Sequence, residues 1–165
     1  MKSLEIIKSL EGEMRLEKGR RLSPIEKILA VTNGSVTQIL EIITSGPVRI
    51  NTVSQEVKEA GGIAKSLGVS EADEVNFREV EITDQEGNIL VNAKSWTPLK
   101  RLEPGFKEDL MKADVPIGKL LIKHRIEARR ELVDAWVEEG KVKRVYNIIR
   151  NGEVLMRIEE RFSEL

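Results

Sequence analysis

Residues 141–162 read KVKRVYNIIR, then NG, then EVLMRIEERF, and the fold is decided in that stretch. Two ten-residue runs, Lys141 to Arg150 and Glu153 to Phe162, flank Asn151-Gly152. A two-residue hairpin turn needs φ > 0 at both central positions, and Asn-Gly meets that need best. The chain should therefore fold back on itself here as an antiparallel pair. Strand side chains alternate, so Val154, Met156, Ile158, Glu160 and Phe162 share one face. Glu153, Leu155, Arg157, Glu159 and Arg161 share the other, which mostly faces water. The first set is apolar except for Glu160, which is aimed inward. A two-residue turn places Lys143 opposite Glu160, so a hairpin-closing ion pair is one reading of that carboxylate.

A second hairpin lies upstream. Val75 to Thr83 and Ile89 to Thr97 flank the turn-rich Asp84-Gln85-Glu86-Gly87-Asn88. Alternation puts Arg78 on the same face as Val80 and Ile82, an inward charge of the opposite sign. An unpaired buried charge costs several kcal/mol, so each needs a partner or a ligand. Either Arg78 and Glu160 serve as structural partners, or they belong to a closed pocket for a small anion.

The rest of the chain supplies mostly helices. Leu4, Ile7, Leu10 and Met14 recur at helical spacing within residues 3–16. Ser23-Pro24-Ile25-Glu26 is a helix start, with Ser23 as N-cap, Pro24 at N1 and Glu26 at N3. A helix over Val36 to Ile43 follows Asn33-Gly34-Ser35 and stops at Gly46-Pro47. Val48 to Val57 reads as a strand, and Gly61-Gly62 opens a connection to about Asp73. Beyond Pro98 and Pro104, Phe106 to Lys112 is a short helix. Asp114-Val115-Pro116-Ile117-Gly118 then leads into a helix over Lys119 to Lys123. Ala128 to Glu139 suits helix or strand equally. Helices, strand, hairpin, helices and hairpin in that order make an α+β protein with a largely antiparallel sheet.

Composition removes several function classes. The chain has 165 residues, a length that suits one domain spanning 1–165 with a real core. Net charge is −1, which argues against a nucleic-acid footprint over the whole molecule. There is no cysteine, so thiolate metal sites and Cys nucleophiles drop out. The one histidine, His124, rules out multi-His metal sites. No apolar run approaches the ~18 residues of a membrane span. Met1 to Leu10 carries both signs of charge, unlike a secretion signal, so a cytoplasmic protein is expected.

From about Ile28 to Phe162 the chain resembles the chorismate pyruvate-lyase superfamily, in particular its archaeal branch. The resemblance rests on Asn33-Gly34-Ser35-Val36-Thr37 before a helix and Phe77-Arg78-Glu79-Val80 in a strand. It continues in Val115-Pro116-Ile117-Gly118-Lys119 and Ile158-Glu159-Glu160-Arg161-Phe162. Members of that superfamily remove pyruvate from chorismate and leave 4-hydroxybenzoate without a cofactor. The resemblance implies a six-stranded antiparallel sheet with helices on one side and helical lids over a buried pocket. It implies Arg78 and Glu160 as catalytic residues holding the two ends of the aromatic product. Ile117, Gly118 and Val36 are the further substrate-binding positions, with no cofactor and no metal ligand. Glu160 lies one residue further from its Gly turn than the bacterial pattern has it, and a bulge would exchange it with Glu159.

The chemistry suits these residue types. Arg78 offers a ring carboxylate two parallel hydrogen bonds, which Lys does not mimic. Glu160 would sit near the ether or hydroxyl oxygen at the opposite end, and burial favours a protonated carboxyl able to give up its proton. Arg130 is read as a charge on a solvated face, with a second anion contact as the other reading, and His124 as a surface or lid residue. The expected partners are a small anionic substrate and an aromatic acid product, with no nucleic acid and no membrane. A monomer or small homo-oligomer is expected. The alternative is a non-catalytic sensor that binds small acids, like the effector domains of one bacterial repressor family with this fold.

Overall fold

The computed structural model describes residues 2–112 and 115–165, so Asp114, read above as the start of a connection, lies outside the described residues. Three helices open the chain: α1 (Lys2–Lys18), α2 (Pro24–Val31) and α3 (Val36–Thr44). Strand β1 (Arg49–Glu59) leads through a short turn of helix, α4 (Ala64–Leu67), to the hairpin β2 (Glu74–Thr83) and β3 (Ile89–Pro98). Helices α5 (Pro104–Met111) and α6 (Ile117–Lys123) follow, then β4 (Arg129–Glu138), β5 (Lys141–Arg150) and β6 (Glu153–Phe162). The strands form one antiparallel six-stranded sheet in the order β1-β2-β3-β6-β5-β4. Among the described residues no helix is long and apolar enough to cross a membrane.

Local chemistry sets the element boundaries. Ser23 caps α2 in a complete capping box: its hydroxyl accepts from the Glu26 N–H, and Glu26 accepts from the Ser23 N–H. Asn151 and Gly152 have φ of 51° and 76°, as the tight turn requires. The ambiguous segment 128–139 is a strand. Its alternation is broken by a bulge at Val133, between Leu132 and Asp134, which explains its helix-like spacing.

The same device reshapes the last hairpin. Ile148 pairs with Met156 but Ile149 pairs with Val154, leaving Leu155 as the extra residue of a bulge. Leu155 is therefore buried, not water-facing as strict alternation predicts. Val154 correspondingly packs with Val75 and Trp96 on the reverse face, not with Met156. From Met156 onward the expected parity holds, and Glu160 stays inward. One face of the sheet packs beneath α1, α2 and α3 through Leu10, Leu29, Leu40, Val91 and Phe162. The same sheet meets α5 and α6 through Phe106, Leu120, Tyr146 and Ile158. The short α4 covers one end of the reverse face.

Candidate active site

The floor of the site is a patch of polar side chains on the helix-covered face. Strand register aligns Val80, Ala93, Glu160 and Arg144 in one row across β2, β3, β6 and β5. The next row is Arg78, Ser95, Ile158 and Tyr146. Arg78 and Glu160 are thus two strands and one row apart, which in a flat sheet separates their Cα atoms by about 12 Å. Both are 3% exposed. Between them lie the small Ala93 and Ser95, which leave room above the sheet.

That room is a cavity of about 990 Å³, at the upper end for small-molecule sites. Arg78, Glu160, Val36, Ile117 and Gly118 all line it, so every expected site residue converges there. Val36 opens α3, which is capped by the Ser35 hydroxyl accepting from the Gln38 N–H. Ile117 and Gly118 open α6, just after the Val115 carbonyl, which accepts from Arg78 Nη2 at 3.4 Å. The lid is pinned from outside the pocket. Asp109 of α5 meets His124 Nε2 at 2.6 Å and Lys123 Nζ at 2.8 Å. Those two partners, Lys123 foremost, hold the Asp109 carboxyl below its ordinary range. His124 is accordingly a lid residue, also set edge-on against Phe106.

The partner of Glu160 differs from the one expected. Lys143 does not face it; Lys143 pairs with Glu138 and Glu159 on the other side of the sheet. The bulge at Leu155 is the reason, because it shifts the hairpin register by one and puts Arg144 opposite Glu160. Arg144 Nε donates to Glu160 Oε1 at 2.8 Å, and its Nη1 donates to the Thr32 carbonyl at 2.7 Å. Thr32 ends α2, so one guanidinium joins the floor to the segment that leads into Val36. Arg144 is 1% exposed and stacks near Tyr146, 4.7 Å from the ring centroid. Tyr146 also lines the cavity, and burial, with the Glu160 charge behind it, pushes its phenol well above the ordinary value. It remains a neutral hydroxyl.

The reading of the sequence passed over Tyr146, and it takes Arg144, with Lys141 and Lys143, for part of a solvated basic face, whereas Arg144 lies buried in the floor of the site. The signal was present, since Val142, Arg144, Tyr146 and Ile148 alternate along β5 just as Ile158 and Glu160 do along β6. Arg130 corrects another expectation. Register puts it opposite Ile148, on the face of the cavity, and it lines that cavity instead of a solvated surface.

An antiparallel six-stranded sheet whose helix-covered face holds a cavity with buried charges of both signs has the chorismate lyase-like α+β fold. By its sequence the chain belongs to the family described as chorismate pyruvate-lyase, Rv2949c-like, whose model matches residues 30–165. A Methanocaldococcus jannaschii protein provisionally named a lyase, MJ0807, is 38% identical over 158 residues, covering 84% of this chain and 77% of that one. A chorismate pyruvate-lyase of Mycobacterium tuberculosis is 23% identical over 162 residues, covering 87% and 81%. Among solved structures, the effector domain of PhnF from Mycobacterium smegmatis superposes with a TM-score of 0.61 at 13% identity, covering 80% of this chain and 90% of that one. That last likeness is one of fold.

Proposed function

We propose that this protein is a chorismate pyruvate-lyase, producing 4-hydroxybenzoate and pyruvate without a cofactor. The observation that supports it is the convergence of Arg78, Glu160, Val36, Ile117 and Gly118 on one cavity in a chain of this family. In the reaction the ring loses the proton at C4, and the bond from C3 to the enolpyruvyl oxygen breaks with its electron pair leaving on oxygen. Enolpyruvate then takes up a proton at its methylene carbon and becomes pyruvate. Aromatisation drives the step, so the protein's task is to orient the ring and screen charge.

Arg78 holds the ring carboxylate. Glu160 faces the hydroxyl at the opposite end. Because Arg144 engages Glu160 through Oε1, we assign the carboxylate an acceptor's role toward that hydroxyl, in place of proton delivery to the departing oxygen. Val36 and Ile117 press on the ring, and Gly118 lets the lid backbone come close.

The test is incubation of the purified protein with chorismate, with and without a metal chelator. Equimolar 4-hydroxybenzoate and pyruvate, unaffected by chelator, are expected. Tight binding of 4-hydroxybenzoate without turnover would replace the lyase with a sensor of small acids.

A further inference from the structure

The cavity holds more positive charge than one ring carboxylate uses. Arg130 is the most notable case. It reaches the site from β4, four strands from Arg78 across the sheet. At Cα the two arginines are roughly 20 Å apart in a flat sheet, and both side chains line the one cavity. Arg130 Nη1 makes a 3.5 Å contact with the Asn33 carbonyl, and its guanidinium also meets the Tyr146 hydroxyl. Both neighbours are neutral. Among the described residues no carboxylate pairs with Arg130, and its Nε is buried without a hydrogen-bond partner. The lid closes on the same group: a Cβ at Gly118 would lie 3.3 Å from Arg130 Nη2. A half-buried guanidinium bordered by sheet, lid and the α2–α3 loop, with neutral hydrogen-bond neighbours, is poised for an anion.

We infer that Arg130 receives a second carboxylate, so that the pocket selects dicarboxylates held between Arg78 and Arg130. This rests on the lyase reading, in which the second carboxylate is that of the enolpyruvyl group. The geometry then also serves release. Cleavage of the C3–O bond divides the two carboxylates between two molecules, and neither product spans both arginines.

Three proteins test this: wild type, Arg130→Gln and Arg130→Lys. Each is titrated calorimetrically with 4-hydroxybenzoate and with 3-(carboxymethoxy)benzoate, an unreactive ring acid bearing a second carboxylate at the ether position. Arg130→Gln should weaken the diacid on the order of 10–100-fold, the worth of a charge-assisted contact. Its affinity for 4-hydroxybenzoate should stay within about threefold, well under one such contact. The KM for chorismate should rise with the diacid constant. Arg130→Lys keeps the charge and should lose less, which guards against a variant that merely folds poorly. Equal weakening of both ligands, or no weakening of the diacid, would overturn the inference. Selective loss of the diacid in a protein without turnover would sink the lyase reading and leave the dicarboxylate site standing. Unchanged KM and diacid affinity in an active Arg130→Gln would do the reverse.

Discussion

A carboxylate buried against a guanidinium cannot be altered without stranding its partner. Glu160→Gln removes the charge that faces Arg144, which stays positive and 1% exposed. The variant should lose roughly 3 kcal/mol of stability. A drop in melting temperature therefore says nothing about chemistry at this position. The informative quantity is turnover per folded molecule, expected to fall on the order of 10²-fold as the charged acceptor becomes a neutral one, with single-turnover kinetics as the measurement. Near-normal turnover would reduce Glu160 to the counter-ion of Arg144. Arg78 is simpler to interrogate because the task proposed for it is geometric. Arg78→Lys should fold and yet bind 4-hydroxybenzoate more weakly by about 2 kcal/mol or more, since a forked contact becomes a point contact. Calorimetry decides it, and an unchanged affinity would make Arg78 structural.

Helix α2 positions the site from a distance. Its last residue hands over to Thr32, whose carbonyl Arg144 grips, and its first turn is locked by Glu26. Arg20 donates to both Glu26 oxygens, at 2.8 and 2.9 Å, while the Ser23 N–H donates to one of them. Burial alone would raise the Glu26 carboxyl, but these donors prevail and its pKa falls below the ordinary 4.5. A depressed folded-state pKa stabilises above the ordinary value, and that contribution fades as pH drops through the folded one. Glu26→Gln should thus cost about 2 kcal/mol at pH 7. The gap to wild type should shrink below pH 4.5. Urea denaturation at both ends of that range checks it; a gap constant with pH would mean that charge at Glu26 is immaterial. Helix α1 acts on another element: Glu13 accepts from the Val137 N–H at 3.0 Å and Glu17 from the Gly140 N–H, covering the outer edge of β4.

At the scale of the molecule, what alternation governs was readable and what register governs was not. Both strands of the last hairpin begin and end where the residues said they would, because Asn151-Gly152 permits one turn geometry. Arg78 and Glu160 were found inward by counting in twos. The partner of Glu160 was missed because a bulge is invisible to such counting, and both Leu and Ile fit either face. The cavity itself was out of reach, since it exists only where α3, α6 and all six strands meet. The resemblance supplied Val36, Ile117 and Gly118, which no local pattern marks. The bulge at Leu155 has one more consequence. It lies between the turn and Glu160, so it takes up one residue there without disturbing anything beyond it. Shorten that arm by a single residue into a regular hairpin, and the carboxylate still lands opposite Arg144. The bulge works as an expansion joint. Relatives can differ in length between turn and carboxylate and still present the same charge to the same arginine, so spacing from the glycine is a poor ruler for locating it.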